Sequence, residues 1–561
     1  MTVLTRGVYG SPGSSLAFKT GAWRTQRPVH QPMDAPCHAT CLAEEHPRDW
    51  LALLEQGNVR QAWEKLVEIN PLPALTGRVC PHPCETGCNR GQYDEPVCMH
   101  GVERFLGDEA IRCGWEYGVP EPDMHALRAA VVGAGPAGLS AAYHLRRLGY
   151  RVCVIEKEML PGGILRTSMP AYRLPRDVLD AECDRLLGIG LEVRFHTALG
   201  RDVSLQELQE EFCAVFLGPG AQKSRAWNAQ GAVPSDLHEG VHLLNQWVEF
   251  GAVPEMQSAV VIGGGNTAID VARVLKRAGV SEVHVITHRE LPDPELPPHA
   301  CMTANPNEID QAIAEGVTIH PHHGVTRLVL RGERAVGIEM VHMKKLFDEK
   351  GHLQRVPFEG TEEILHVDQV IPAIGQQVDA SGMETLLAGQ TRIAVEHWGD
   401  TGVPGVFAGG DATGGAGTVA RAIAHGRRAA IGMDAYIQHR EQPEHKNEGA
   451  IAFQHLNIHY YDHVSRVSIP VLPVEQRQGD AEVESSLDKG QAVAEAARCF
   501  SCGQCLACDN CWTLCPDNAV LKTEQMPEDD SPYVFDYDYC KGCGICASEC
   551  PCGFIRMEEE T

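Results

Sequence analysis

The stretch Ala129-Ala130-Val131-Val132-Gly133-Ala134-Gly135-Pro136-Ala137-Gly138 decides how this chain is read. Four apolar residues read as a buried strand, and the Gly133-x-Gly135-x-x-Gly138 spacing opens a helical run that reaches Leu148. A further strand, Arg151-Val152-Cys153-Val154-Ile155, ends at Glu156, 18 residues past the last glycine. The glycine spacing alone is a weak signal; the strand before it, the helix after it and the acid beyond make it a dinucleotide fingerprint. Its glycines let the backbone approach a pyrophosphate at a helix N-terminus, where free N–H groups favour negative charge, and Glu156 can accept from ribose hydroxyls.

A second fingerprint follows Ala259-Val260-Val261-Ile262: Gly263-x-Gly265-x-x-Ala268, with Asn266 inside it. Its next strand, Val283 to Ile286, ends at Thr287-His288-Arg289-Glu290. Arg289 could meet a 2′-phosphate and Glu290 a free ribose hydroxyl, so NADPH and NADH both stay open. Further on, Val406-Phe407-Ala408-Gly409-Gly410-Asp411 precedes a helical run that starts at Thr418. In two-dinucleotide flavoproteins such an element returns to the first domain and its acid holds the ribityl chain. Two nucleotide sites in one α/β block imply hydride transfer from NAD(P)H to a flavin, expected to be FAD, which takes two electrons and can release them singly.

The rest of the composition narrows the class. The chain has 561 residues, 43% hydrophobic and 22% charged, which suits several globular domains. Its 48 Lys+Arg against 75 Asp+Glu give a formal charge of −27, which argues against a nucleic-acid binder. No apolar run is long enough to span a bilayer. The opening MTVLTRGVYGSPGSS lacks the apolar core of a secretory signal, so a cytoplasmic location is expected. In that reducing compartment the 22 cysteines point to metal or redox use rather than disulfides. Seven lie between Cys37 and Cys113 and eleven between Cys499 and Cys552; Cys153, Cys183, Cys213 and Cys301 in the middle read as small buried hydrophobes.

Composition shifts suggest the organisation. Residues 1–36 form an extended arm, and 37–125 a helical iron–sulfur domain in which Trp50, Leu53, Leu54 and then Val59, Trp63, Leu66 recur at helical spacing. Residues 126–240 and 376–440 form two parts of an FAD domain around an NAD(P) domain at 241–375. Across about 126–440 strands are read as alternating with helices, the pattern of a parallel sheet. Residues 441–490 make a connector and 491–561 an α+β ferredoxin-like domain. The expected fold is therefore multidomain: α-helical iron–sulfur domain, α/β two-dinucleotide core and bacterial-type ferredoxin domain.

The last domain carries the most specific motif. Cys505-x2-Cys508-x2-Cys511-x3-Cys515-Pro516 and Cys540-x2-Cys543-x2-Cys546-x3-Cys550-Pro551 are two bacterial ferredoxin runs, whose fourth cysteine serves the other cluster. One [4Fe–4S] cluster would use Cys505, Cys508, Cys511 and Cys550, the other Cys540, Cys543, Cys546 and Cys515. Zinc gives no reason for two matched runs of this spacing. Cys552 is left over and reads as structural. The loop between the runs carries Glu528, Asp529, Asp530, Asp536 and Asp538, so a docking partner would offer basic residues; a merely solvated loop is the plain alternative.

Over about residues 35–440 the chain resembles the small subunit of glutamate synthase and its relatives, which include the N-terminal half of dihydropyrimidine dehydrogenase. The resemblance rests on Gly77-Arg78-Val79-Cys80-Pro81 with Cys84 and Cys88, on Pro96-Val97 before Glu103-Arg104-Phe105, and on the two fingerprints. It implies one [4Fe–4S] cluster on Cys41, Cys80, Cys84 and the Glu103 side chain. The upstream R-C-x-x-C pair of that family is absent before Cys37, and the same pattern stands at Arg498-Cys499-Phe500-Ser501-Cys502. Cys37, Cys88, Cys499 and Cys502 thus become the candidate ligands of a further cluster shared between the ends of the chain, giving three to four clusters; spare thiols or a small separate metal site on Cys499 and Cys502 are the alternatives.

The expected function is an NAD(P)H:acceptor oxidoreductase that passes hydride to FAD and single electrons through clusters to a protein redox partner, a ferredoxin or a larger catalytic subunit. No motif suggests a substrate-transforming site within the chain, so no catalytic residue is assigned, and the oligomeric state stays open. The alternatives are the electron-supplying subunit of a glutamate synthase and a non-catalytic electron-carrying scaffold.

Overall fold

The computed structural model describes residues 4–6, 19–225, 227, 237–293, 295–297, 299–347, 353–414, 417–444, 449–524 and 531–560. Around the first fingerprint, strand Arg128–Val132 lies between Ala214–Leu217 and Arg151–Ile155, with Val406–Ala408 and Glu192–Arg194 outermost. All five strands run parallel. Ala129 to Val132 and Val152 to Ile155 are buried, as expected where both faces of a parallel sheet are covered. Helices Pro136–Arg147 and Val419–Ile437 pack against each other and share one apolar core with Val131, Val154 and Phe216.

The second fingerprint heads a four-stranded parallel sheet in the order Thr318–His320, Glu282–Ile286, Ser258–Ile262, Gln369–Pro372. Between its strands the expected alternation of strands and helices fails. Residues 323–366 instead form antiparallel strands His323–Arg331, Arg334–Phe347, Leu353–Pro357 and Glu363–His366. Gly332 takes φ +65° in a tight turn, and Leu328, Ile338 and Met340 bury one face of the ribbon against Val260 and Ile286 while the other stays wet.

In the N-terminal part, helices Pro47–Glu55, Val59–Val67 and Met99–Cys113 bury Trp50, Leu54, Trp63, Leu66 and Leu106 in a common core. Helix Lys489–Ala496, from near the other end of the chain, is capped by Asp488 with Gln491 and packs on Pro47–Glu55 and Met99–Cys113. The segment before it is mostly irregular and strapped down by ions: Glu482 meets Arg78 at 2.8 Å and Arg104 at 3.0 Å.

The two ends of the chain also meet in the ferredoxin-like part. Leu4–Arg6 adds antiparallel to Val520–Thr523, which pairs with Tyr533–Phe535, and Gln26–His30 pairs with Ile555–Glu559. Strands from the start of the chain thereby cover edges that would otherwise be open to other chains. Among the described residues no helix is long and apolar enough to cross a membrane.

Candidate functional site

A cavity of about 850 Å³ opens between the two parallel sheets. Gly133, Gly135 and Glu156 line it from the first fingerprint, Asn266 from the second, and Gly410, Asp411 and Thr418 from the returning element. Gly133 takes φ +94°, and a Cβ there would overlap the Gly218 carbonyl oxygen, so only glycine keeps the loop this close to the next strand. The Glu156 carboxylate is held from below, Oε2 accepting from the Ala134 N–H at 2.7 Å and Oε1 from the Glu158 N–H at 2.9 Å, with lone pairs left toward the cavity. Burial pushes the Asp411 carboxyl up, against the pull of Arg392. A half-buried carboxylate lining a cavity is an acceptor a ribityl hydroxyl would satisfy. Thr418 spends its Oγ1 on the Arg421 N–H as the helix cap, and Asn266 spends its Oδ1 on the Asn305 N–H at 2.8 Å. Gly138, Gly263, Gly265 and Ala268 stand behind this lining, where they set how closely each helix approaches its strand.

Arg289 lies outside the lining and directs Nη1 to the carbonyls of His299 and Cys301 at 3.3 and 3.1 Å. The structure supplies a neighbour that the sequence reading missed. Burial and then the nearby Arg289 disfavour the charge of Arg355, on the antiparallel ribbon, while Glu290 favours it, and its Nε and Nη2 are buried with no hydrogen-bond partner among the described residues. His288 beside them is held low by burial, then by Arg355 and Arg289. Glu290 is occupied instead, paired with Lys345 and His322. Arg355 escaped notice because its strand is 66 residues along the chain from Arg289 and carries no motif.

A small cavity in the helical part is lined by Cys41, Cys80, Cys84 and Glu103, the set expected of one cluster, and by Glu45. Glu103 is 5% exposed, so it is not a surface acid. Its Oε1 accepts from Thr76 Oγ1 and from Asn70 Nδ2 at 3.0 Å, and its Oε2 lies 3.1 Å from His82 Nε2. Burial pushes its pKa up to about 7. Glu45 was not legible as a site residue; Asn70 Nδ2 donates to it at 2.7 Å and ties the two carboxyls together. Backbone N–H groups of Glu45 and His82 point at the sulfurs of Cys41 and Cys80, each at 3.4 Å, and burial pushes all three thiols well up. Thiols so buried become thiolates only when a metal cluster offsets their charge.

At the C-terminal end a cavity is lined by Cys515, Cys540, Cys543 and Cys546, matching the crossed ligand set. Burial, and then Cys505, Cys546, Cys508 and Cys550, raise the cost of ionising Cys511. Cys552 sits 3.7 Å from Cys550 by sulfur, adjacent to that set. Of the acidic loop, Glu528, Asp529 and Asp530 lie outside the described residues, while Asp538 is paired with Lys19 at 2.6 Å.

Two dinucleotide-fingerprint sheets around one cavity, with iron–sulfur cysteine sets on either side in sequence, define a two-dinucleotide iron–sulfur flavoprotein. Residues 127–426 match the pyridine nucleotide-disulphide oxidoreductases, 22–115 match dihydropyrimidine dehydrogenase domain II with its 4Fe-4S cluster, and 533–556 match the 4Fe-4S binding domain. The chain belongs to the pyridine nucleotide-disulphide oxidoreductase family. It is 34% identical to the beta subunit of the NADP(+)-dependent formate dehydrogenase of Moorella thermoacetica over 532 residues, 87% of this chain and 73% of that one. It is 31% identical to the beta subunit of the NADPH-Fe(3+) oxidoreductase of Geobacter sulfurreducens, over 87% and 78% of the two chains. The small chain of the NADPH glutamate synthase of Escherichia coli is 30% identical over 72% of this chain and 88% of its own. This protein is an NAD(P)H-dependent FAD and iron–sulfur oxidoreductase that transfers electrons to a partner.

Proposed function

We propose that this chain is the nucleotide-oxidising subunit of a larger redox enzyme, with the substrate chemistry carried by a separate protein subunit reached through the ferredoxin-like end. The observation that carries the reading is the wall shared by two sites: Val79 and Pro81, on either side of Cys80, line the same cavity as Glu156 and Asp411. An iron cluster on Cys41, Cys80, Cys84 and Glu103 would thus lie directly against the flavin site. When bound, FAD supplies the step from a two-electron hydride donor to one-electron carriers. The chain's own residues do the rest. Gly133 and Gly135 would admit the pyrophosphate, and Glu156 and Asp411 would accept from the ribose and ribityl hydroxyls.

For the nicotinamide nucleotide we propose a preference for the 2′-phosphate form. Arg289, Arg355 and His288 gather beside the end of the second fingerprint's sheet, and Glu290 is paired with Lys345 and lies against His322. Two arginines whose charges oppose each other, with the single carboxylate Glu290 shared among Arg355, Lys345 and His322, suit a further anion such as a 2′-phosphate. The glutamate synthase alternative is weaker, because two ferredoxin runs extend this chain beyond the fingerprint core. The test is an anaerobic titration of the full chain carrying flavin and iron. NADPH should bleach the flavin band and then develop reduced-cluster signals in electron paramagnetic resonance. Extraction of FMN in place of FAD, or flavin bleaching with clusters that stay oxidised, would overturn the reading.

A further inference from the structure

Four cysteines remain after the FAD-side set and the two ferredoxin sets are taken out of the two ends of the chain, apart from Cys98, Cys113 and Cys552. Cys37 lies on the one-turn helix Pro36–Thr40, Cys88 precedes the turn Asn89–Gln92, and Cys499 and Cys502 follow helix Lys489–Ala496. Over 400 residues separate the two pairs in sequence, yet all four belong to the same apolar core of the helical domain. Cys37 is 6% and Cys502 8% exposed.

The surroundings are built to hold them there. Arg498 reaches the Glu95 carbonyl at 2.6 Å and Asp94 Oδ1 at 3.1 Å, and Arg90 returns a bond to the Arg498 carbonyl at 3.1 Å. Arg90 also lies over the Phe500 ring at 4.7 Å. Arg48 donates to the Cys502 carbonyl at 2.8 Å and to the Met33 carbonyl at 3.2 Å, and the Met33 N–H donates to the Gly503 carbonyl at 3.1 Å. Both pairs are therefore fixed on one frame rather than merely near each other.

The sulfurs are dressed as ligands. Asn89 Nδ2 points at Cys502 Sγ at 3.6 Å and the Ser501 N–H at Cys499 Sγ at 3.4 Å, the same N–H···S pattern seen at Cys41 and Cys80. Cys213, in the middle of the chain, does the opposite: its thiol donates to the Arg128 carbonyl at 2.8 Å.

We propose that Cys37, Cys88, Cys499 and Cys502 hold a [4Fe–4S] cluster that joins the two ends of the chain and stands between the FAD-side cluster and the ferredoxin domain. A single zinc ion fits less well. Zinc with four thiolates at about 2.3 Å draws their sulfurs to about 3.8 Å apart. Among the described residues, three ligand atoms come within 4.8 Å of one another only at Glu85, Cys98 and His100, so no three of these four sulfurs stand at the spacing of a single zinc ion. The geometry also places the cluster in a row. Cys37 and Cys41 share one helical turn, and Cys84 and Cys88 are likewise four apart, so each pair gives one sulfur to the FAD-side set and one to this set. On the other side the Tyr461 hydroxyl donates to the Phe500 carbonyl at 3.0 Å, and the N–H of Gly503, next to Cys502, donates to the carbonyl of Cys552 in the ferredoxin-like part at 2.8 Å. Electrons arriving one at a time from the FAD side would leave one at a time toward the ferredoxin clusters, two for each NAD(P)H oxidised.

This inference rests on the proposed function only for its direction of flow; the site itself is tested independently of turnover. The full chain, reconstituted anaerobically with iron and sulfide, should hold about sixteen irons, four cubanes of four. The double variant Cys499→Ser, Cys502→Ser should lose about four irons, keep its FAD and its bleaching by NADPH, and keep the low-potential ferredoxin signals. Cys37→Ser, from the other end of the chain, should show the same iron loss and so guards against local unfolding of the C-terminal part. Cys153→Ser should leave the iron content unchanged. Iron content equal in the double variant and the parent, or one zinc in place of four irons, would overturn the proposal. Loss of the flavin bleaching with iron content intact would instead count against the function proposed above.

Discussion

Replacing Gly138 by alanine tests how the first fingerprint makes its nucleotide site. Gly138 is the third residue of helix Pro136–Arg147 in ordinary helical conformation, so alanine suits its backbone, and helix propensity alone favours the change by about 1 kcal/mol. The obstacle is space. A Cβ there would overlap the Gly133 carbonyl oxygen and stand 3.0 Å from its carbon and 3.2 Å from Val131 Cγ1. These are backbone and buried strand atoms that cannot swing away, so the helix must back off by about 1 Å, which puts the cost at the upper end of the ~1–3 kcal/mol range of overpacking. The net loss is about 2 kcal/mol, or roughly 4–8 °C in Tm for a domain of this size. The same movement carries Pro136 and Ala137, which line the cavity, away from the pyrophosphate. Ala268→Gly is the matched control. It occupies the corresponding place in the second fingerprint, where the methyl is fully buried and accommodated, so the change costs about 1–2 kcal/mol of propensity and burial without displacing the FAD helix. The assay is flavin per chain by absorbance together with a melting curve. Gly138→Ala should lose most of its flavin, and Ala268→Gly should keep it. A Gly138→Ala protein with full flavin and parental Tm would show that helix–strand spacing does not govern the site.

Other outcomes follow from the same contacts. Arg355→Ala should raise KM for NADPH by roughly 10–150-fold, the equivalent of one charge-assisted bond of about 1.5–3 kcal/mol, with little effect on NADH; equal losses for both nucleotides would remove Arg355 from the phosphate site. Glu482→Ala strips the carboxylate from the nearly buried Arg78 and Arg104 and should lower Tm and speed proteolysis of the strap before helix Lys489–Ala496, while Glu444→Ala, on an exposed residue, should do neither. Reduction of a basic partner protein should slow several-fold between about 50 and 500 mM salt if the acidic loop steers docking; a rate that stays flat would leave that loop merely solvated.

Much of this protein could be read before any coordinates. Both fingerprint strands, the helices that follow them and the ferredoxin cysteine runs were legible because each is a local pattern: a strand, a tight glycine turn and a helix start within a few residues, or cysteines at fixed short spacings. The antiparallel ribbon at 323–366 was misread because its strands carry no turn signal stronger than Gly332, and only packing on Val260 and Ile286 selects the face that is buried. Arg355, Glu45 and the occupied state of Glu290 were invisible for a related reason. Each depends on which distant segment folds over it, and charge neighbours 32 to 66 residues apart leave no periodicity to detect. The pairing of Cys37 and Cys88 with Cys499 and Cys502 stands between these cases. Sequence determines that four cysteines are left over in two pairs; only the tertiary structure brings them together, because it takes the burial of Phe500 and Ala496 beside Trp50 and Phe105 to carry one end of the chain onto the other.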